Sequence, residues 1–548
     1  MKKTALSLVL AALAGSPLAG VAVAQNIPAP RAQTAGNGPL SAIDWLSQSV
    51  ETPDVVIDVA TGTMTLEGEE APQLQNGVQP PQRDPREAPV TNSAAVPEVS
   101  VQRLDQIDSD AVGLLPPSVT GLPADLWTRS QADTLAMLIA AESVDTLPML
   151  RDFFITLLVA KADPPQGVTG NDRFYYARVD RLLDLGALEP AQAMLESANL
   201  DDVETFRRWF DVTLLTGTEN DACEFMEGRL SIAPTMPARI FCLARRGDWN
   251  AAALTLSTGR ALGEIDAEGQ ALLTRFLDDG YADGLDPLPP PARVTPLEYR
   301  LREALGEPLP ATGLPRAFAH ADMREIAPWR SQLEAAERLA RAGAVSPNVL
   351  FALYTREKPA ASGGIWDRAA AIRTLDAALR GEGDLSAALP RAFSAMQAPR
   401  AEVAFSEFYS DALAGKTLDA AATQVAWRMA LLSAHYEDAA LTPPEGMRDA
   451  TFLAGVARGN LTDIDARDAR QRAVKAGFEA EGPGTRLQSL LDDGKLGEAL
   501  LRTLAAMAAG LESDPMSISE GLALLRAVGL EDVARRAALQ YLILDRAT

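Results

Sequence analysis

Histidine and cysteine each occur only twice in 548 residues, so the side chains that most often run nucleophilic or metal chemistry are scarce. His320 and His435 lie more than a hundred residues apart, which excludes an HExxH zinc site or any multi-histidine centre. A Ser-His-Asp triad would need one of them, and no G-x-S-x-G elbow is present. The spacing of Cys223 and Cys242 excludes a redox CxxC. Aromatic residues make up 5%, while alanine and leucine dominate, a mix that suits closely packed helices better than sheets. Basic residues are outnumbered, 50 against 74 acidic, for a net charge of −24. Such a field repels nucleic acid and anionic lipid, which are held by clustered Lys and Arg. No stretch after the first residues is long and uncharged enough to span a bilayer as a helix, although Leu147 to Ala160 is strongly apolar.

The chain opens MKKTALSLVLAALAGSPLAGVAVAQ. Lys2 and Lys3 give a positive start, Thr4 to Leu13 a short apolar run, and Ala22-Val23-Ala24 a small-x-small cleavage site. Residues 1–24 therefore read as a secretory signal peptide, with a mature protein starting at Gln25 and located in the periplasm. At position 25 a lipoprotein would need cysteine.

Thirteen of the chain's 37 prolines fall between Gln25 and Asp125. This segment has too few apolar positions to offset the entropy of ordering it, so it is expected to be largely disordered. Two islands interrupt it. LSAIDWLSQSV can form a short amphipathic helix around Ile43, Trp45 and Leu46, either a docking peptide or padding for the protein's own body. VVIDVATGTMTL reads as a hairpin turning at Thr61-Gly62. GLLPPSVTGLPADLW closes the segment at Trp127.

From 126 to 548 the pattern is helical, with a division into two lobes near 285–325. Start signals recur at Ser130-x-x-Asp133, Thr295-Pro296-Leu297-Glu298, Ser331-x-x-Glu334 and Ser517-x-x-Glu520. Gly343 ends the run SQLEAAERLARA as a C-terminal cap. A loose repeat also emerges. LLDLGALEPAQAML, CLARRGDWNAAALTL, ALRGEGDLSAAL and LLDDGKLGEALLRTL each close a helix on glycine (Gly186, Gly247, Gly383, Gly494) and pack the next helix through an alanine (Ala191, Ala252, Ala388, Ala499). A weaker version surrounds Gly529. The fold class expected is all-α, an irregular α-solenoid of helical hairpins. The midpoint between Cys223 and Cys242 falls in the turn SIAPTMP, which places them at one height on two antiparallel helices. A disulfide there would close about twenty residues and contribute roughly 3 kcal/mol. The alternative is two buried thiols.

These hairpins are similar to tetratricopeptide and Sel1-type repeats, without the full consensus of either. On GLLPPSVTGLPADLW and YTREKPAASGGIWDRAAAI the chain also resembles a group of uncharacterised exported alphaproteobacterial proteins. Some of that group carry an antifreeze-glycopeptide label, but the Ala-Ala-Thr arrays of such glycopeptides are absent here. The resemblance implies a helical-repeat fold and export, and no activity.

Gly415-Lys416-Thr417 matches only the end of a P-loop, since Ser410 stands where the motif needs glycine. No residue set presents itself as catalytic or metal-binding, and no cofactor is implied. One segment can hold a ligand: in YTREKPAASGGIWDR, residues Ser362, Gly363 and Gly364 can expose backbone N–H groups, while Arg356, Lys358, Trp366 and Arg368 supply charge and an aromatic face. Such a loop suits a sugar or carboxylate. The competing reading is a tight connection with Trp366 in the core. The functional expectation is a non-enzymatic periplasmic scaffold for a protein or envelope-polymer partner. The alternative is a glycan-binding or glycan-cleaving protein using Asp and Glu in a concave face, since paired carboxylates suffice for that chemistry.

Overall fold

The computed structural model describes residues 108–167, 172–278 and 285–544. The signal peptide, the Ile43-Trp45-Leu46 island and the Thr61-Gly62 hairpin lie outside those residues. Among the described residues there are twenty-five α-helices joined by short turns, and extended segments pair only at the isolated bridges Leu115–Ala160 and Gln131–Gln166. The fold is the all-α solenoid of helical hairpins that the sequence predicts.

The hairpin unit follows from local chemistry. Gly186, Gly247, Gly494 and Gly529 take left-handed backbone, with φ between 74° and 84°, in the turns between consecutive helices. Such a conformation strains any residue with a Cβ. After Ile365–Leu379 it is Gly381, with φ 92°, and not the expected Gly383 that makes this turn. The alanines of the four repeats are buried on the following helices, Ala191, Ala252, Ala388 and Ala499 being at most 5% exposed. Small side chains let the paired helices approach. Trp249 departs from the pattern: it starts its helix half-exposed on the surface.

Aspartates cap many of the helices. Asp202, Asp248, Asp266, Asp384, Asp419 and Asp468 each accept a hydrogen bond from a backbone N–H of the first turn. Part of the acid surplus is thus spent satisfying amide groups at positive helix ends. Thr295 caps Pro296–Ala304 as its motif predicts, accepting from the Glu298 amide at 3.1 Å. The other three start signals are displaced. Ser130 stands one residue before Gln131, which holds the cap position of Ala132–Ala141. Ser331 lies inside Trp329–Arg341, which begins straight after Pro328, and Ser517 lies inside Pro515–Ala527, whose cap is Asp514. In both places a proline next to the first turn sets the helix start earlier than the serine.

Two large apolar clusters make the core. One joins residues between Val112 and Ala321 to residues between Trp427 and Tyr541, and the other runs from Leu333 to Met429. The chain leaves the first cluster after Ala321 and later returns to it. Helix Glu531–Ile543 packs on Pro148–Val159, and Leu496–Ser513 packs on Ala132–Ala141. At this closure the Gln540 side-chain oxygen accepts from the Met149 amide at 2.8 Å. The buried Trp127 ring lies over Gly497, whose amide donates to the Leu126 carbonyl at 3.2 Å. The hairpins therefore close end to end instead of extending as an open array. Pro148–Val159 is enclosed by helices on several sides, which explains why PMLRDFFITLLV is apolar around most of its circumference. Among the described residues no helix is long and apolar enough to cross a membrane.

The helical body begins earlier than residue 126. Residues 108–125, grouped by composition with the Pro-rich segment, pack onto it through Val112 and Leu122. Arg178, 1% exposed, holds this strand-like lead by donating to the carbonyls of Val112 at 2.6 Å and Asp110 at 3.1 Å. The prolines here shape the path and do not prevent packing, because Pro117 sits in the first turn of a short helix.

Candidate functional site

Pro148–Val159, Leu188–Glu196, Pro347–Arg356 and Glu402–Leu413 border a cavity of about 920 Å³. Its apolar surface comes mainly from alanines and valines such as Ala193, Ala344, Val349, Val403 and Ala404, with Ile155 and Leu188, and among the described residues no Phe, Tyr or Trp lines it. Gly343 is required at its edge. It follows Trp329–Arg341 with φ 68°, and Ala344 donates back to the Leu339 carbonyl, a helix-end turn that glycine favours. A Cβ at Gly343 would also stand 2.6 Å from Nε of Arg151.

Most charges around the cavity are already engaged. Arg151 donates to Asp152 at 2.7 Å and to the Arg341 carbonyl at 2.6 Å. Glu196 accepts from the Trp209 indole at 3.1 Å and from Gln192 at 2.8 Å. Arg536 donates to Glu407 at 3.2 Å. Burial pushes the Glu407 carboxyl above its usual range, and the negative Asp152 nearby adds to this, while Arg536 and Arg151 oppose it. His320 donates through Nε2 to the Gly186 carbonyl at 2.6 Å, since a carbonyl can only accept. Burial lowers the pKa of this ring, so it stays neutral with Nδ1 as the acceptor. Two charges on the cavity are different. Exposed Glu189 and half-buried Arg400 make no side-chain hydrogen bond or ion pair among the described residues.

The loop singled out in the sequence spans 357–364, between Pro347–Arg356 and Ile365–Leu379. Ser362, Gly363, Gly364, Trp366 and Arg368 share a smaller hollow of about 390 Å³ with Arg330 and Glu334. Arg356 and Lys358 do not line it. The groups offered to a ligand are largely taken. Gly363 N–H donates to Asp367 at 2.9 Å, and Arg368 makes a two-pronged contact with Glu337 at 2.6 and 2.7 Å. Tyr354 also donates to Glu337, and Arg356 to Gln332. Trp366 packs on Trp329, ring centres 5.1 Å apart. The geometry is that of a braced connection beside a small hollow.

Cys223 and Cys242 are bonded, their Cα atoms 5.1 Å apart, across the neighbouring helices Glu219–Met226 and Met236–Arg245. Among the described residues no set of His, Cys, Asp and Glu gathers into a metal site. Fold and cavity together define a closed helical-hairpin solenoid with a central cleft of mixed charge. The chain matches no protein-family model, no curated protein and no solved structure.

Sequence reasoning pointed to the 356–368 loop and missed the cleft. Asp152, Glu189 and the pair Arg400 and Glu407 stand in separate hairpins, and no local pattern joins them. The one local clue is Arg400, a non-glycine residue at a left-handed turn, which shows only in the backbone.

Proposed function

We propose that the protein is a non-enzymatic binding protein of the periplasm that takes an extended peptide segment of a partner in the central cleft. The observation that carries this reading is the cleft's lining: mostly small apolar side chains from four stretches of chain, with charges on the same surface and no Phe, Tyr or Trp among the described residues. Pockets for small apolar ligands are usually lined by large hydrophobic and aromatic groups. A peptide instead needs shallow room for alternate side chains and polar groups for its backbone. The Cys223–Cys242 bond supports an oxidising compartment.

A second reading, a glycan-cleaving protein, draws on one observation. Asp152 and Glu407 face the same cavity, and the Glu407 carboxyl is held above its usual range, as a proton donor's would be. The lack, among the described residues, of a Phe, Tyr or Trp ring there against which a sugar could stack favours the peptide.

The test uses immobilised full-length protein and a pool of N-terminally dansylated random octapeptides. Retention by the native chain and its loss in Ala193→Trp, which fills the cleft, is the expected result. Release of reducing sugar from isolated cell-wall glycan, abolished in Glu407→Gln, together with no peptide retention, would replace this reading with the second.

A further inference from the structure

Three observations converge on Arg400. Arg400 lines the cavity, and its side chain makes no hydrogen bond or ion pair among the described residues. Other arginines of the cavity region, Arg151 and Arg536, are paired with carboxylates. Arg400 is also one of three non-glycine residues with positive φ among the described residues, at 56°. The other two are Asp172 and Asp463, a residue type that tolerates this region, whereas arginine gains nothing there from its own side chain.

The backbone does need the left-handed turn. Arg400 lies between helices Leu385–Ala395 and Glu402–Leu413, where the Arg400 amide donates to Gln397 at 3.0 Å and the Ala401 amide to Met396 at 2.9 Å. Glycine would make that turn without strain. An arginine kept in a strained position, with its charged end unpaired beside a cavity, is a group held for something outside the chain.

We infer that Arg400 anchors a single carboxylate of the bound peptide, its C-terminal group, through the two-pronged contact a guanidinium makes with a carboxylate. This deepens the peptide-binding reading and rests on it. The charge balance of the cleft selects the anion. Asp152, Glu196 and Glu407 share the surface with Arg400, so a multiply charged group such as phosphate is repelled more strongly than a singly charged carboxylate. Exposed Glu189, also unpaired, gives the cleft a charge of opposite sign for a basic residue elsewhere in the same peptide. A free C-terminus enters such a cleft end-on, which fixes the direction in which the chain lies.

The test sets two dansylated octapeptide pools against the full-length protein, one with free C-terminal carboxylates and one amidated. The native chain should retain the free pool about tenfold better, the scale of one charge-assisted contact. Arg400→Gly should lose that preference while melting at the native temperature or above it, because it relieves the strained turn. Arg400→Lys should keep part of the preference. Equal retention of both pools, still abolished in Ala193→Trp, would overturn the carboxylate assignment and leave peptide binding standing. A preserved preference in Arg400→Gly, or a lowered melting temperature in that variant, would overturn it as well. If neither pool is retained, this assignment and the peptide-binding reading fall together.

Discussion

Gly497→Ala probes the joint that closes the molecule. Built on the native backbone, the new Cβ would lie 2.3 Å from Cε3 and 2.4 Å from Cζ3 of Trp127, and 2.8 Å from the Leu126 carbonyl oxygen. Carbon atoms in ordinary contact sit about 3.5–4.0 Å apart, so ring or helix must move by more than 1 Å. The ring has little room, being 1% exposed and set edge-on to Phe174 with centres 5.2 Å apart. Forcing a methyl group into a packed core costs about 1–3 kcal/mol. The gain in helix propensity from glycine to alanine is at most about 1 kcal/mol, and less in a first turn. The clash therefore wins, and a net loss of about 1–2 kcal/mol should lower the melting temperature by roughly 1–4 °C in a body of this size. Calorimetry on native chain and variant reads it, with Gly313→Ala as control, because a Cβ there meets open space. The penalty should shrink in a Trp127→Leu background, which identifies the ring as the obstacle. A Gly497→Ala chain that melts at or above the native temperature would refute the reasoning.

Three further outcomes follow from buried groups. Glu142 is 3% exposed, with one carboxylate oxygen unpartnered, and burial pushes its pKa up to about 8 against the opposing charge of Arg181. Its folded value exceeds its unfolded value of about 4.5, so its contribution to stability is full below pH 4.5 and is lost as pH rises through 8. Glu142→Gln should gain on the native chain steadily between pH 4.5 and 8, by on the order of a few kcal/mol, and melting temperatures that run parallel across that range would exclude it. The Cys223→Ser, Cys242→Ser double variant releases a loop whose ends are 19 residues apart and should lose about 3 kcal/mol; identical melts before and after reduction of the native chain would contradict this. Arg178→Met leaves the Val112 and Asp110 carbonyls without their donor, so limited proteolysis should cut within residues 108–116 well before the helices. An unchanged cleavage pattern would show that this lead is held by its apolar side chains alone.

The fold was largely legible because its signals are local. Glycine at the turns, alanine on the next helix and a pair of cysteines about a turn act within a few residues, and backbone and side chains obey them. Start signals failed where a neighbouring proline set the helix start earlier, as at Ser331 and Ser517, with Asp514 as the cap in the second case. Closure was not legible. Trp127 against Gly497 and Gln540 against the Met149 amide join residues hundreds of positions apart, and nothing in either stretch names the other. The cleft inherits that difficulty, since its lining comes from stretches as far apart as residues 148–155 and 400–407. The 356–368 loop drew attention through its composition, but Glu337 lies two helices back, in Trp329–Arg341, and takes up Arg368 and the Tyr354 hydroxyl.

Hydrogen exchange on the full-length chain, with and without peptides eluted from the retained octapeptide pool, tests binding in the central cleft most directly. Protection on binding should concentrate in residues 187–196, 343–349 and 400–407, which border the cavity from separate hairpins. Protection confined to the 357–364 loop or to the exposed helix Trp249–Leu262, with those three stretches unchanged, would place the ligand elsewhere and contradict the account.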